Sequence, residues 1–409
     1  MNKEIAMQIG IVGGGVAGMF VALHLKDSNH KITILEKNSD TLKKLLITGN
    51  GRCNVTNLKS TAEFLENVPR NAKFLHSALN MFSPYDMVDF LEKHGITTKI
   101  ENNDRVFPTT NKAITIKNCF DNLVDIGDIK LNTQVLSISK ENDGFVVETN
   151  NGYYKFDAVI VSTGGSSFPM TGSSGDGYRF ATNLGITVNS PRGALCGIRL
   201  KNIPENFEGF PLNSKLSIKS NGKIICQSCG EFLFTNYGVS GPNVFTLTSK
   251  VDKYSLNGDI LCFDLLPSLQ RDEISSRLKE YMTANPTKFV VHAVASIVNL
   301  KLSKLILNSL NIPENKQSAQ ISKAELSNIV DSLKNYEFEI ENFDNIERAT
   351  ITRGGVDIKE INPKTMESKK IENLYFVGEV LDVDGLSGGY NLQIAYSTAF
   401  ACANHLKSK

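Results

Sequence analysis

The sequence predicts an α/β protein, a doubly wound parallel sheet interrupted by an insert that is first β-rich and then helical. Three observations lead there. A strand, glycine turn, helix and second strand fill residues 9–35; buried-type apolar runs recur at 158–161 and 374–377; and between those runs, over about 191–342, the pattern changes character. With 409 residues, 41% of them hydrophobic and 21% charged, the chain can bury one large core or two modest ones, which excludes a disordered protein. Forty-four Lys and Arg oppose 43 Asp and Glu, so the net charge of +1 offers no global field to nucleic acid or to an anionic membrane.

Taken in order, residues 9–12 form an apolar strand, residues 16–26 a helix, and residues 31–35 a second strand. Residues 5–25 carry no Asp, Glu, Lys or Arg, but glycines at 10, 13, 14, 15 and 18 fit a strand–turn–helix far better than an apolar targeting helix, where each costs ~1 kcal/mol relative to Ala. Ser83-Pro84 with Asp86, and Gly95 beyond, marks a helix of about ten residues. Residues 129–162 read as short strands separated by Asn-Asp-Gly and Asn-Asn-Gly turns, a small antiparallel meander returning to the parallel sheet. Beyond 190, alternation on either side of Ser220-Asn221-Gly222 predicts a hairpin, and residues 268–333 turn helical, broken at Pro286 and Pro313. The sheet pattern returns near 374, and Gly388-Gly389 opens a final helix. The expected organisation is therefore 1–190 and 343–409 as one discontinuous domain around an insert, β-rich over 191–266 and helical over 267–342.

The chemistry begins at Gly13-Gly14-Gly15-Val16-Ala17-Gly18, a G-x-G-x-x-G between strand and helix, with Glu36 closing the next strand. The first glycine makes the turn, the second lets the backbone approach a pyrophosphate, and the third lets helix and sheet pack. The helix N-terminus supplies N–H donors, and Glu36, with Lys37 beside it, stands where a ribose hydroxyl is read. The pattern occurs once. Thr163-Gly164-Gly165 follows a strand but lacks the spacing and acid of a second nucleotide site, so one tight dinucleotide site is expected.

A strand ending in Gly378-Glu379, with Asp382 beyond it, resembles the ribityl-binding segment of glutathione-reductase-like flavoproteins, where a carboxylate meets the polyol chain of FAD. Gly389, Tyr390 and Asn391 then open a helix whose free N–H groups would face the pyrimidine edge of a flavin, where charge collects on reduction.

The segment Lys43-Lys44-Leu45-Leu46-Ile47-Thr48-Gly49-Asn50-Gly51-Arg52-Cys53-Asn54-Val55-Thr56-Asn57 resembles the K-x-L-I-S-G-G-G-R-C-N-x-T-N signature of a bacterial flavoprotein family. That family is variously described as aminoacetone-oxidase-like, as dehydro-bile-acid reductase and as forming dihydrouridine in ribosomal RNA. Three further blocks match it: Gly230 to Thr235 with Gly238 to Pro242, Arg353-Gly354-Gly355-Val356, and Thr365 to Lys369 running into Gly378 to Gly385. The resemblance implies a Rossmann-like FAD domain of glutathione-reductase type carrying an inserted β-barrel and helices. It also implies that Lys44, Asn50, Gly51, Arg52 and Asn54 lie along the FAD, Val135 beside the adenine, and Thr163, Gly164 and Gly165 near the pyrophosphate. Asn50 stands where the family has glycine.

For catalysis, Cys53 is a candidate proton donor or redox sensor if Arg52 lowers its pKa. Tyr390 and Tyr237 are candidate phenol donors. Cys226-Gln227-Ser228-Cys229 has no second pair and no histidine nearby, and the six histidines show no ligand spacing, so no metal is expected. Seven scattered cysteines suit reduced thiols in the cytoplasm. The implied activity is reduction of a double bond conjugated to a carbonyl, with NAD(P)H as transient donor and a small enone-like substrate. The alternatives are uridine in ribosomal RNA, with Lys201, Lys215, Lys219 and Lys223 as phosphate contacts, and an amine oxidised with O₂.

Overall fold

The computed structural model describes residues 7–124, 128–203, 209, 211–251 and 255–409. The chain divides into two compact units, Met1–Ala194 with Asn345–Lys409, and Leu195–Asp344.

The first unit is built on a five-stranded parallel sheet in the order Leu374–Phe376, Ala158–Val161, Gln8–Val12, Lys31–Leu35 and Ile129–Lys130. Strands from both ends of the sequence therefore lie two places apart. Val161 pairs with Val12 on one side and with Phe376 on the other. The central strands are apolar on both faces because both faces are covered. The helix Val16–Leu25 has eight of its ten residues buried and packs on the sheet and on the terminal helix Tyr390–Leu406. Gly18 permits that packing. A Cβ there would meet the carbonyl oxygen of Gly13 and the Ser162 hydroxyl well inside contact distance.

The helix expected after Ser83 spans Pro84–Lys93, with Ser83 and Asp86 forming a reciprocal capping box. The meander forms as Val135–Glu141, Gly144–Thr149 and Gly152–Phe156, while Ile129–Lys130 joins the parallel sheet.

The second unit contains a closed six-stranded barrel in the order Ile198–Leu200, Gly238–Ser240, Lys223–Thr235, Pro211–Ser220, Ile260–Asp264 and Tyr336–Phe343. Asn221 and Gly222 both take left-handed backbone at its long hairpin, as a two-residue turn demands. Pro286 and Pro313 lie between the helices Arg271–Ala284, Val290–Ala295, Leu300–Ser309 and Lys323–Lys334. Three expectations are corrected. Residues 336–343 are a barrel strand rather than the end of the helical run, because Phe338 and Ile340 alternate inward between exposed glutamates. The β-rich stretch contains a helix, Pro242–Lys250. A boundary at 190 cuts the strand Val188–Ala194, which pairs with Ile351–Val356 in the first unit.

Among the described residues, no helix is long and apolar enough to cross a membrane.

His24 lies among Phe20, Phe90 and Phe400, with ring centroids 4.4, 5.9 and 5.0 Å away, and its Nδ1 bonds the Phe20 carbonyl at 2.9 Å. Burial brings its pKa down to about 4, with smaller lowering contributions from Lys407 and His94. Because the folded pKa is depressed, this residue leaves stability level above about pH 6.5 and erodes it as pH falls toward 4. The drop in urea midpoint between pH 7 and pH 5 should therefore shrink in His24→Leu. An unchanged drop would assign the acid sensitivity elsewhere.

Candidate functional site

Two helix starts define the site. At the first, Gly13 N–H donates to the Leu35 carbonyl and Gly14 carbonyl accepts from Leu42 N–H, each at 2.9 Å, which sets the turn against the second strand. No side chain caps the helix at Gly15 and no acid occupies its first turn. A Cβ built on Gly15 meets nothing within 4 Å. The leading N–H groups of such a helix have no intrahelical acceptor, so the turn is a cradle for an anion. Glu36 sits beside it, buried, with one carboxylate oxygen accepting from Gly14 N–H at 2.7 Å and the other from the Asn38 backbone and side chain. Lys37 pairs with Asp176 at 2.7 Å and thereby ties the turn to the helix Asp176–Asn183. Val135 is buried at the start of its strand, two residues beyond Thr133, whose N–H donates to the Glu36 carbonyl.

The second start is Gly389, also uncapped and with no acid in the first turn of the helix that follows. It has φ of +96° and lies so close to Thr56 that a Cβ would strike the Thr56 backbone. The two helices belong to one unit, and Gly378 lies between them, where a Cβ would stand 2.9 Å from the Cβ of Ala17 and 3.8 Å from that of Ala395.

Between them lies a polar cluster. The Lys44 ammonium reaches both Glu379 oxygens, at 2.8 and 3.0 Å, and the Ser167 hydroxyl at 2.7 Å. Glu379 also accepts from Thr352 N–H at 2.9 Å, and Gly165 faces the same carboxylate, leaving no room for a side chain. Lys44, Gly165 and Glu379, far apart in sequence, are thus brought together. Asp382 is placed differently. It is buried and held through one carboxylate oxygen by Arg70 and by Asn189 at 2.8 Å, while its other oxygen has no hydrogen-bond partner among the described residues. Asn391 likewise turns its carboxamide onto Gly385, donating to and accepting from that residue's backbone.

The loop Thr48 to Cys53 is tightly wound. Gly49, Asn50, Gly51 and Cys53 all have left-handed φ. Asn50 takes this conformation at φ +54°, which asparagine tolerates better than most residues, so the departure from glycine leaves the turn intact.

Cys53 lacks the lowered pKa on which its candidacy depends. Cys53 is fully buried, and burial pushes its thiol up to about 12 despite a hydrogen bond to Thr48. Arg52 does not lower it. The guanidinium stacks over Phe107 at 4.0 Å and makes a two-pronged pair with Glu101, both bonds 3.0 Å, which with Lys99 holds the Glu101 carboxyl at about 2. Tyr390 packs edge-on against Phe64 at 4.9 Å, and burial, then Asp104 and Glu63, raise its phenol to about 12. Tyr237 belongs to the other unit, with the Arg199 guanidinium 5.5 Å from its ring centroid. Cys226 and Cys229, three apart on one strand, point to opposite faces, which rules out a dithiol pair there. Among the described residues, no group of His, Cys, Asp or Glu is arranged to hold a metal.

Sequence reasoning passed over two features. Arg353 and Asp384 form a buried pair, at 2.6 to 3.1 Å over three contacts, in which burial raises the Asp384 pKa against the pull of Arg353. Both residues lie in matched blocks, yet nothing in their spacing announces the pairing. Asn57, inside the signature, has a buried side-chain oxygen with no hydrogen-bond partner among the described residues, as do Asn54, Thr163 and Asp382. These orphan polar atoms and two uncapped helix starts fit a long polar cofactor such as FAD, which would hydrogen-bond along its length.

The family model described as "HI0933-like protein Rossmann domain" matches residues 7–405. A ribosomal RNA dihydrouridine synthase of Escherichia coli is 30% identical over 97% of this chain and 97% of its own. One of Haemophilus influenzae is 31% identical over 96% of each. A 3-dehydro-bile acid delta(4,6)-reductase of Clostridium scindens is 27% identical over 96% of this chain and 97% of its own.

Two substitutions test this geometry. Gly18→Val forces a side chain into the Gly13 backbone and should lower both the unfolding midpoint and the amount of FAD retained on purification, whereas wild-type levels of both would contradict the close approach. Asp384→Asn removes the carboxylate from a buried guanidinium and should cost about 3–5 kcal/mol in denaturant unfolding. A loss under ~1 kcal/mol would show that the pair carries little stability.

The chain belongs to the HI0933-like Rossmann family.

Proposed function

We propose that the chain reduces a carbon–carbon double bond conjugated to a carbonyl, in the cytoplasm, with NAD(P)H as transient electron source and FAD as resident cofactor. The observation that carries this reading is the joining of two uncapped, glycine-led helix starts in one unit, one suited to a pyrophosphate and the other to the electron-rich edge of a reduced ring. FAD bound there supplies the hydride acceptor and donor. The chain's own residues supply the rest. Gly13 to Gly18 would grip the pyrophosphate, Glu36 would accept from the adenosine ribose, and the Lys44–Glu379 pair would exchange part of its internal bonding for contacts with the polyol. The N–H groups after Gly389 favour negative charge on whatever ring they face. Cys53, held protonated up to about 12, does not serve as a thiolate.

A second substrate reading has its own support. Two relatives named ribosomal RNA dihydrouridine synthases are 30% and 31% identical to this chain, against 27% for the bile-acid reductase. The C5=C6 bond of uridine is conjugated to a carbonyl, as an enone is, so one arrangement of residues suits both. Of the four lysines considered for RNA, Lys201 is paired with Glu339 and Lys219 with Glu337, which weakens the basic patch.

Anaerobic mixing with NADH or NADPH should bleach the flavin, and an enone or a uridine-containing ribosomal RNA fragment should restore its colour faster than air does. Rapid recovery in air alone, with neither acceptor active, would favour the amine-oxidase alternative. Dihydrouridine content of ribosomal RNA in a deletion strain separates the two reductase readings. A missing modification favours RNA, and unchanged content favours the small enone.

A further inference from the structure

We infer that Asn57 and the start of the Tyr390–Leu406 helix form a single recognition edge for a cyclic imide, an N–H flanked by two carbonyls, and that its occupant is the pyrimidine ring of the flavin. This rests on the FAD reading and assigns a role to a residue that neither the glycine fingerprint nor the polyol segment includes.

Asn57 ends the short strand Thr56–Asn57, which pairs with Arg105 and Val106, and its side chain is almost wholly buried at 1% exposure. Its Nδ2 donates to the Asn103 carbonyl at 2.9 Å and to the Gly388 carbonyl at 3.0 Å. Both partners can only accept, so they fix which way the carboxamide faces. The atom left over is Oδ1, an acceptor with no partner among the described residues. Burying such an atom without a donor is unfavourable, which makes it informative.

The same hydrogen bond to Gly388 places Asn57 at the mouth of the helix, one residue before its cap. Gly389, pressed against Thr56, locks the two segments together. Two neighbouring side chains, Thr56 and Asn391, are engaged elsewhere. Thr56 Oγ1 donates to Gln393 Oε1 at 2.6 Å, and the Asn391 carboxamide is taken by Gly385 and Leu386. What the junction offers is therefore a run of helix N–H donors beside a buried, unpartnered acceptor. A cyclic imide is the complement. Its carbonyls accept from the helix, and its N–H donates to Asn57 Oδ1.

Uracil carries the same edge, so the test separates the two sources. Apoprotein is titrated with FAD and with N3-methyl-FAD, following quenching of flavin fluorescence. Wild type should bind the methylated cofactor roughly tenfold more weakly, and Asn57→Ala should bind FAD more weakly while losing most of that discrimination. Equal binding of the two cofactors by wild type, a comparison that needs no variant, overturns the proposal. So does discrimination that survives in Asn57→Ala. Wild type that binds both cofactors equally yet refuses a 3-methyluridine substrate while accepting uridine assigns the edge to the substrate and also overturns it. Protein that binds no FAD at all defeats the cofactor reading itself, a separate result from equal binding.

Discussion

The helix Val16–Leu25 and the helix Tyr390–Leu406, from opposite ends of the chain, lie packed together on one sheet, and the rest of the first unit is arranged to keep them there. The strands that launch them flank Ala158–Val161 on its two sides, so the register of a single central strand aligns both turns. Gly378 lies between Ala17 of the first helix and Ala395 of the last, where only a small residue fits. A one-residue slip of a strand would turn its apolar set outward and misdirect the turn it feeds. Position in this site is therefore set by core packing rather than by the loops themselves.

Polar bookkeeping then separates what holds the fold from what faces a ligand. Arg353 with Asp384 and Arg52 with Glu101 satisfy one another and fasten loops. Asn54, Asn57 and Thr163 keep buried oxygens that the described residues leave without partners, and they occur on segments joined to the two helix starts. The Lys44–Glu379 pair, about a quarter exposed on each side, stands between these classes: bonded internally, yet accessible enough to exchange partners.

Much of this was legible in the sequence. The fingerprint at Gly13 to Gly18, the hairpin at Asn221-Gly222 and the capped helix after Ser83 are local patterns whose physics is complete within a few residues. The final strand of the barrel was hidden, because Tyr336–Phe343 follows a long helical run and reveals itself only through its alternation. Side-chain roles were less legible still. Arg52 adjoins Cys53 in sequence, yet its charge is directed to Glu101 and the Phe107 ring, while Cys53 is closed off by burial. Asn57 could be singled out only after Gly388, more than three hundred residues away, was seen to fix its carboxamide.

The claim on which the account turns is that one molecule of FAD is held by both ends of the chain at once. Amide hydrogen exchange of the apoprotein, followed with and without FAD, addresses it directly. The account predicts that residues 13–18 and 388–393 gain protection together and at the same cofactor concentration. Protection of one segment alone, or of neither while FAD is bound, would contradict it.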